Sequence, residues 1–298
     1  MSRFEGKVLI VGLGEVGRPL FELIRETGKY ETFGYDVDPS KIPEGQASLP
    51  REVDILHICY PFSRRDEFVR NTCEYIAQFS PRLTIINSTV APGTTLEVYE
   101  RSGGRVAHSP IRGVHKTMKK DLLFWTKYVA AFDRDVAEEA ATHFRSVGMK
   151  VKVLNSPFET ELAKLFETVY RALLIAWFQE MHRISRSFGA DFTQITDFLE
   201  EIHKIRFDRP LFFPDVIGGH CLIPNTKILL NEYESPFLKA ILRSNEIRKE
   251  EIKDSEVKEE VKKLKEKVKR LEFELSRYPF VRDYWTTSSD QGEVEPSR

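Results

Sequence analysis

The chain has 298 residues, of which 41% are hydrophobic and 31% charged, and its net charge is -1 at pH 7. That length accommodates two domains or one large one, and the balanced charge gives no general attraction to nucleic acid or to a membrane surface. Its three cysteines, Cys59, Cys73 and Cys221, are widely spaced. They fit neither a disulfide framework nor a metal site, and they point to a reducing compartment, the cytoplasm.

The opening MSRFEGKVLIVGLGEVG is interrupted by glycines and a glutamate and lacks a signal-peptide core. No apolar run approaches the roughly 20 residues of a membrane helix. KVLIV (7–11) is a short β-branched run of the kind that forms a strand buried on both faces. Further strands are expected in ETFGYDVDP, VDILHICYP, LTIINSTVAPG, RVAHSPI, KYVAAFD and KVKVLN. Helical stretches lie between them, among them RPLFELIRETG, RDEFVRNTCEYIAQF and DVAEEAATHFRSVG. Strands alternating with helices predict a doubly wound parallel sheet.

From residue 155 the pattern changes to one long helix, about 157–188. Ser156 and Glu159 form a capping box, Pro157 suits the first turn, and Gly189 is a stop. Leu162, Leu165, Phe166, Val169, Leu173, Ala176, Trp177 and Met181 surround much of it. A helix apolar on so many sides is expected in a domain core or a subunit interface, and a homodimer through this helix is the expected assembly. Shorter helices are expected at 191–204 and 236–250. Beyond residue 246 the chain is charged, with Val257, Val261, Leu264, Val268, Leu271 and Leu275 in steps of four and three. That seam predicts either an amphipathic helix lying on its own domain or a short intersubunit coiled coil. The tail from TTSSDQGEVEPSR reads as disordered. The expected division is 1–155, 156–245 and 246–298.

GLGEVG (12–17) places Gly12, Gly14 and Gly17 in the G-x-G-x-x-G spacing, directly after a strand and opening a helix, with Asp36 ending the next strand. Gly12 permits the tight turn, Gly14 lets a pyrophosphate approach, and Gly17 lets helix and strand pack closely. Leu13, Glu15 and Val16 complete the loop, whose helix N-terminus faces the phosphates. Asp36 accepts from the adenosine ribose and repels a 2′-phosphate, which favours NAD over NADP. The fold expected is α/β: an N-terminal Rossmann-type doubly wound parallel sheet followed by an all-helical domain with a long central helix.

Two further stretches carry chemistry. VIGGHCLIPNT (216–226) places Cys221 after His220 and two glycines, Gly218 and Gly219. Cys221 reads either as a site thiol or as a small buried hydrophobe, since free cysteine is among the most buried residue types. HSPIRGVHK gathers His108, Arg112, His115 and Lys116 after a strand. That basic cluster at the carboxyl end of a sheet is a candidate receiver of an anionic substrate, or else a surface loop. Lys164, Thr168 and Arg171 form a polar stripe on the long helix. Cys59 and Cys73, in a strand and a helix, read as core.

These stretches together resemble the UDP-glucose/GDP-mannose 6-dehydrogenase family over about residues 7–245. VGLGEVGRPL is similar to its cofactor loop, NSTVAPGTT to its fourth-strand motif, ETELAKLFETVYRALLIAWFQEM to its central helix, and IGGHCLIPN to its nucleophile loop. The resemblance implies NAD as cofactor and Thr89 near both cofactor and substrate. It further implies Lys164 as the group that stabilises an oxyanion, and Cys221 as a thiolate that adds to an aldehyde in a four-electron oxidation. Gly219 and His220 would then let the substrate approach and tune or orient the thiol. Three positions depart from the family pattern. Thr168 stands where an asparagine is usual, Asn225 where an aspartate follows the cysteine by four, and Ile111 where an acid precedes Arg112. A charged helix and tail take the place of the family's third, nucleotide-binding domain. The loss of acids favours a two-electron oxidation of a polar, anionic, sugar-like substrate. β-Hydroxyacid dehydrogenases, or a non-catalytic NAD-binding sensor or assembly subunit, are the alternatives.

Overall fold

The computed structural model describes residues 5–46 and 48–275, apart from the side chain of His115. The expected disordered tail lies outside the described residues. The chain forms two compact units, Met1–Leu165 and Phe166–Arg298. The division falls inside the long helix rather than ahead of it, and residues beyond 246 share a unit with the helices before them.

The first unit holds β1 (Gly6–Val11), β2 (Tyr30–Tyr35), β3 (Ile55–Ile58), β4 (Leu83–Ile86), β5 (Val106–His108), β6 (Lys127–Ala131) and β7 (Val151–Val153). They form one sheet in the order β2-β1-β3-β4-β5-β6-β7. Its helices are α1 (Gly17–Glu26), α2 (Arg65–Phe79), α3 (Thr94–Ser102), α4 (Met118–Phe124) and α5 (Arg134–Ser146). Alternate side chains of β1 enter opposite cores. Val8 and Ile10 pack with Leu20 and Ile24 of α1 and Ala140 and Phe144 of α5. Leu9 and Val11 pack with Phe68 and Val69 of α2 and Val98 of α3. Both faces are covered, which is why the strand reads as an unbroken apolar run; each such side chain contributes about 1.5–3 kcal/mol on burial.

One pair departs from the expected parallel sheet: β6 runs antiparallel to β5. All other neighbours are parallel. The connection from Ser109 to Thr126 carries a 3-10 turn (His115–Thr117) and the short α4. It stays at the carboxyl edge instead of crossing a face, so β6 begins where β5 ends. Lys127 is thereby brought beside Ser109 and Pro110.

The long helix α6 (Pro157–Ser187) starts on its capping box. Glu159 accepts from the N–H groups of Asn155 at 2.8 Å and Ser156 at 3.4 Å, and Ser156 Oγ accepts from Phe158 N at 3.3 Å. Gly189 beyond it takes φ +66, and Ala190 N bonds Ser185 O at 2.9 Å. The second unit continues with α7 (Phe192–Arg206), α8 (Leu222–Glu232), α9 (Pro236–Glu251) and α10 (Ser255–Leu275). α8 is not among the helices the sequence predicts; its Pro224 falls in the first turn, where proline is tolerated.

The seam of α10 is buried, with Leu264, Val268 and Leu271 packed among Phe178, Phe192 and Leu211. Lys267, only 6% exposed, donates to Thr193 O, Thr196 Oγ1 and Asp197 Oδ1 at 3.1, 2.8 and 2.6 Å. The seam is covered within the chain and not presented for an intersubunit coiled coil. By contrast Phe166, Tyr170, Trp177 and Ile184 leave an apolar line on α6 exposed.

Candidate functional site

At the start of α1, Gly12 takes φ +91, and a Cβ there would stand 2.6 Å from Tyr60 N. A Cβ on Gly17 would stand 1.8 Å from Gly12 O, so only glycine lets helix and strand approach this closely. Gly14 is exposed, with nothing within 4 Å of its would-be Cβ, and no side chain caps the helix start at Val16. The loop thus leaves an open cradle at a helix N-terminus, which fits the phosphates of a dinucleotide. The Asp36 carboxylate accepts from Leu13 N at 2.7 Å and Asp38 N at 2.9 Å, tying the end of β2 to the glycine turn. A carboxylate has about four acceptor positions, so room remains for ribose hydroxyls. Lys41 stands 3.8 Å from Asp36, a neighbour the motif does not signal. Leu13 meets the loop only through its backbone, because its side chain is in the core. Glu15 is exposed and Val16 half-buried.

At the carboxyl ends of β4 and β5, Thr89 is half-buried and follows a buried polar group of Asn87, Ser88, His108 and Ser109. His108 is not part of an exposed basic cluster. It is fully buried, with Nε2 3.1 Å from Ser88 O and Nδ1 2.6 Å from Thr160 Oγ1. The Ser88 carbonyl can only accept, so Nε2 carries the proton and Nδ1 accepts from the threonine. Burial pushes its pKa down to about 3, and the ring is neutral. Arg112 donates to Thr126 O at 2.9 Å and lies over the rings of Trp125 (5.4 Å) and Tyr128 (5.1 Å). Lys116 is exposed, and the His115 side chain lies outside the described residues.

The first turns of α6 are fastened to this edge. Thr160 meets His108, and Glu161, one residue on, accepts from Gly93 N (2.7 Å), Thr95 N (2.9 Å) and Thr95 Oγ1 (2.7 Å). These anchors hold the helix one turn before Lys164, which is half-buried. Glu161 escapes sequence reading because a glutamate in a helical run looks like a solvated residue. A hidden polar chain also escapes it. Lys127 donates to Asn87 Oδ1 at 3.3 Å, and Asn87 Nδ2 donates to His57 Nδ1 at 3.0 Å. The His57 Nε2–H then faces His143 Nε2 at 3.0 Å. The donor sequence leaves His143 with its proton on Nδ1, which is buried and has no partner. Of the two cysteines expected in the core, Cys59 is buried, with its thiol pushed up to about 12 by burial, and Cys73 is half-buried.

In the second unit Cys221 is exposed and stands at the N-cap of α8. Gly219 takes φ +79, and Gly218, Gly219 and His220 are exposed, so the segment is an open turn leading into a helix. One turn into α8, Asn225 is buried and donates through Nδ2 to Thr168 Oγ1 of α6 at 3.0 Å. Two of the three departures from the family pattern, Thr168 and Asn225, are therefore partners. A neutral amide meets a neutral hydroxyl, and neither is a base near neutral pH.

Comparison with known proteins places this architecture. Residues 159–247 match the central-domain model of the UDP-glucose/GDP-mannose dehydrogenase family. The UDP-N-acetyl-D-mannosamine dehydrogenase of Methanocaldococcus jannaschii is 22% identical over 72% of this chain and 59% of its own length. The chain thus spans well under two thirds of that relative. Among solved structures, the UDP-D-ManNAc dehydrogenase of Pyrococcus horikoshii superposes with a TM-score of 0.69 at 22% identity, covering 80% of this chain and 68% of that one. The 3-hydroxyisobutyrate dehydrogenase of Mycobacterium tuberculosis gives 0.62 at 16% identity, covering 84% and 94%. At these identities the structural likenesses speak for the fold. Its central segment therefore resembles the central domain of the UDP-glucose/GDP-mannose dehydrogenase family, and the curated relatives it matches carry UDP-sugar dehydrogenase names.

Proposed function

We propose that the protein is an NAD-dependent oxidoreductase acting on an alcohol or aldehyde carbon of a polar, anionic, sugar-like substrate. The observation that carries the reading is the open glycine turn at the start of α1, closed from below by Asp36 through Leu13 N. Gly12, Gly14 and Gly17 with Asp36 would hold NAD, whose contribution when bound is to accept a hydride. Lys164 takes the substrate hydroxyl proton or stabilises the oxygen as that hydride leaves. Arg112, His115, Thr168, Gly219 and His220 are the substrate-facing groups, and Thr89 serves cofactor and substrate.

Cys221 is the candidate nucleophile. Its sulfur would add to an aldehyde carbon, and loss of a second hydride would leave a thioester. Hydrolysis of that thioester needs a base to take a proton from water. The position that would supply it is Asn225, already donating to Thr168. With no base at this position a thioester would stay on the enzyme, so sustained turnover is favoured to stop at the two-electron stage, with the aldehyde released. A homodimer through the exposed apolar line of α6 and a cytoplasmic location belong to the same proposal. Among the described residues no helix is long and apolar enough to cross a membrane.

The experiment is to follow NADH formation with nucleotide sugars, sugar phosphates and hydroxyacids, for wild type and Cys221→Ser. Loss of activity with Cys221→Ser supports the covalent role, whereas unchanged turnover removes it. A second reading rests on the likeness that covers 94% of the 3-hydroxyisobutyrate dehydrogenase chain. Turnover confined to hydroxyacids and indifferent to Cys221 would establish it. Tight NAD binding without turnover of any substrate would mark a non-catalytic NAD-binding protein.

A further inference from the structure

The antiparallel return of β6 creates an interlock at the carboxyl edge of the sheet. Lys127, the first residue of β6, is 5% exposed. Its Nζ donates to Ser109 O, to Pro110 O at 3.1 Å and to Asn87 Oδ1 at 3.3 Å, and lies 5.0 Å over the ring of Phe144. In return Arg112, two residues past Pro110, donates to Thr126 O and stacks on Trp125 and Tyr128, the residues that flank Lys127. Each strand end grips the other through a cation. An ammonium has three N–H groups, and here they meet three acceptors. A neutral amine has two, and its lone pair would face a carbonyl oxygen. The arrangement is complete only when the lysine is charged.

We propose that Lys127 is a positioning residue whose charge holds the 109–112 turn, and through it Arg112, in the orientation that receives the anionic part of the substrate. Asn87 is held by the same ammonium and passes that order to His57 and His143. The proposal rests on the reading of Arg112 as the substrate's anion-receiving group. It names a control of that reading which no motif in the sequence signals.

The grip is poised for release near neutral pH. Burial pushes the Lys127 ammonium down to about 7, with the charges of Lys164 and Arg112 adding to the effect and Cys59 opposing it. His57 on β3, His108 on β5 and His143 on α5 also face the cluster, and burial holds all three neutral. Asp121 of α4 lines the same hollow, but its carboxylate is bound to Val114 N at 2.8 Å and Thr117 Oγ1 at 2.9 Å. Lys127 is therefore the group among these whose charge changes between about pH 6 and about pH 8.

The test is amide hydrogen exchange over residues 109–117, with 6–11 of β1 as internal reference, in wild type, Lys127→Met and Lys127→Arg. Lys127→Met is expected to exchange about tenfold faster or more in 109–117 alone. Wild-type protection, corrected for intrinsic rates, should fall as pH rises, with a midpoint near 7. Lys127→Arg, which stays charged, should remain protected and lose that midpoint. Equal exchange in wild type and Lys127→Met, or protection in wild type that is flat with pH, overturns the proposal. If Lys127→Met does not fold, wild type and Lys127→Arg decide it. With a substrate in hand, Lys127→Met should raise KM more than it lowers kcat, and a fall in kcat alone counts against action through Arg112. Absence of turnover in wild type would sink the functional reading, while the exchange measurement would still decide the hold on the turn.

Discussion

Glu161 offers a perturbation whose cost follows from its partners. Its carboxylate is 1% exposed and accepts three hydrogen bonds at the start of α3: Gly93 N, Thr95 N and Thr95 Oγ1. Glu161→Ala leaves two backbone N–H groups without an acceptor, at about 1–3 kcal/mol each. The threonine hydroxyl can turn elsewhere and adds little. Against this stands relief from burying a charge. Burial raises the carboxyl pKa, and the bonds to Thr95 and Gly93, with the Arg65 charge, only partly offset it. A net loss of about 2–4 kcal/mol is expected. Glu161→Gln keeps one oxygen for Thr95 but turns its NH2 toward the Gly93 N–H, and should cost about 1–2 kcal/mol. The order Ala worse than Gln worse than wild type should appear in urea midpoints. Exchange of the Gly93 and Thr95 amides should rise before that of β1. A cost for Glu161→Ala below about 0.5 kcal/mol would refute the reasoning, since it would mean the donors find water without penalty.

Further outcomes follow from the same geometry. Burial pushes His108 and His143 down to about 3, and His57 well below its ordinary value. For a base with a depressed folded pKa, stability is full above the unfolded value and is lost as pH falls. Each neutral histidine should therefore remove about 1.4 kcal/mol per pH unit below about 6.5, which an acid denaturation series of wild type against His143→Phe will read as a shallower slope in the variant. Gly17→Ala must push Gly12 O away from a 1.8 Å contact, and should weaken NAD binding, measured by calorimetry, while lowering the thermal midpoint. Asn225→Asp places a carboxylate next to Thr168. If the enzyme forms a thioester, both hydrides have left before hydrolysis, so Asn225→Asp should turn an NADH burst limited to the enzyme concentration into continued turnover, and an unchanged burst would deny Asn225 its role in halting the reaction.

The glycine turn, the alternating strands and the capping box of α6 are legible in the chain because each is a local arrangement. A φ of +91 at Gly12, a strand run and an Ser156–Glu159 box depend on residues a few positions apart. The seam of α10 is legible as an apolar face, but not what covers it, because Phe178, Phe192 and Leu211 come from elsewhere in the chain. Cys221 shows the same limit. Composition favours a buried thiol, and only the fold exposes it at the head of α8.

The amino-acid order by itself determined the α/β class, the dinucleotide turn and the long helix, since periodicity and steric need act over short spans. The tertiary structure alone decided that β6 returns antiparallel, that Asn225 bonds Thr168, and that Lys127 reaches the carbonyls of Ser109 and Pro110. A lysine beginning an apolar strand carries no mark of its partners. Its ammonium can be buried only because the return of the chain along one edge of the sheet places three acceptors around it.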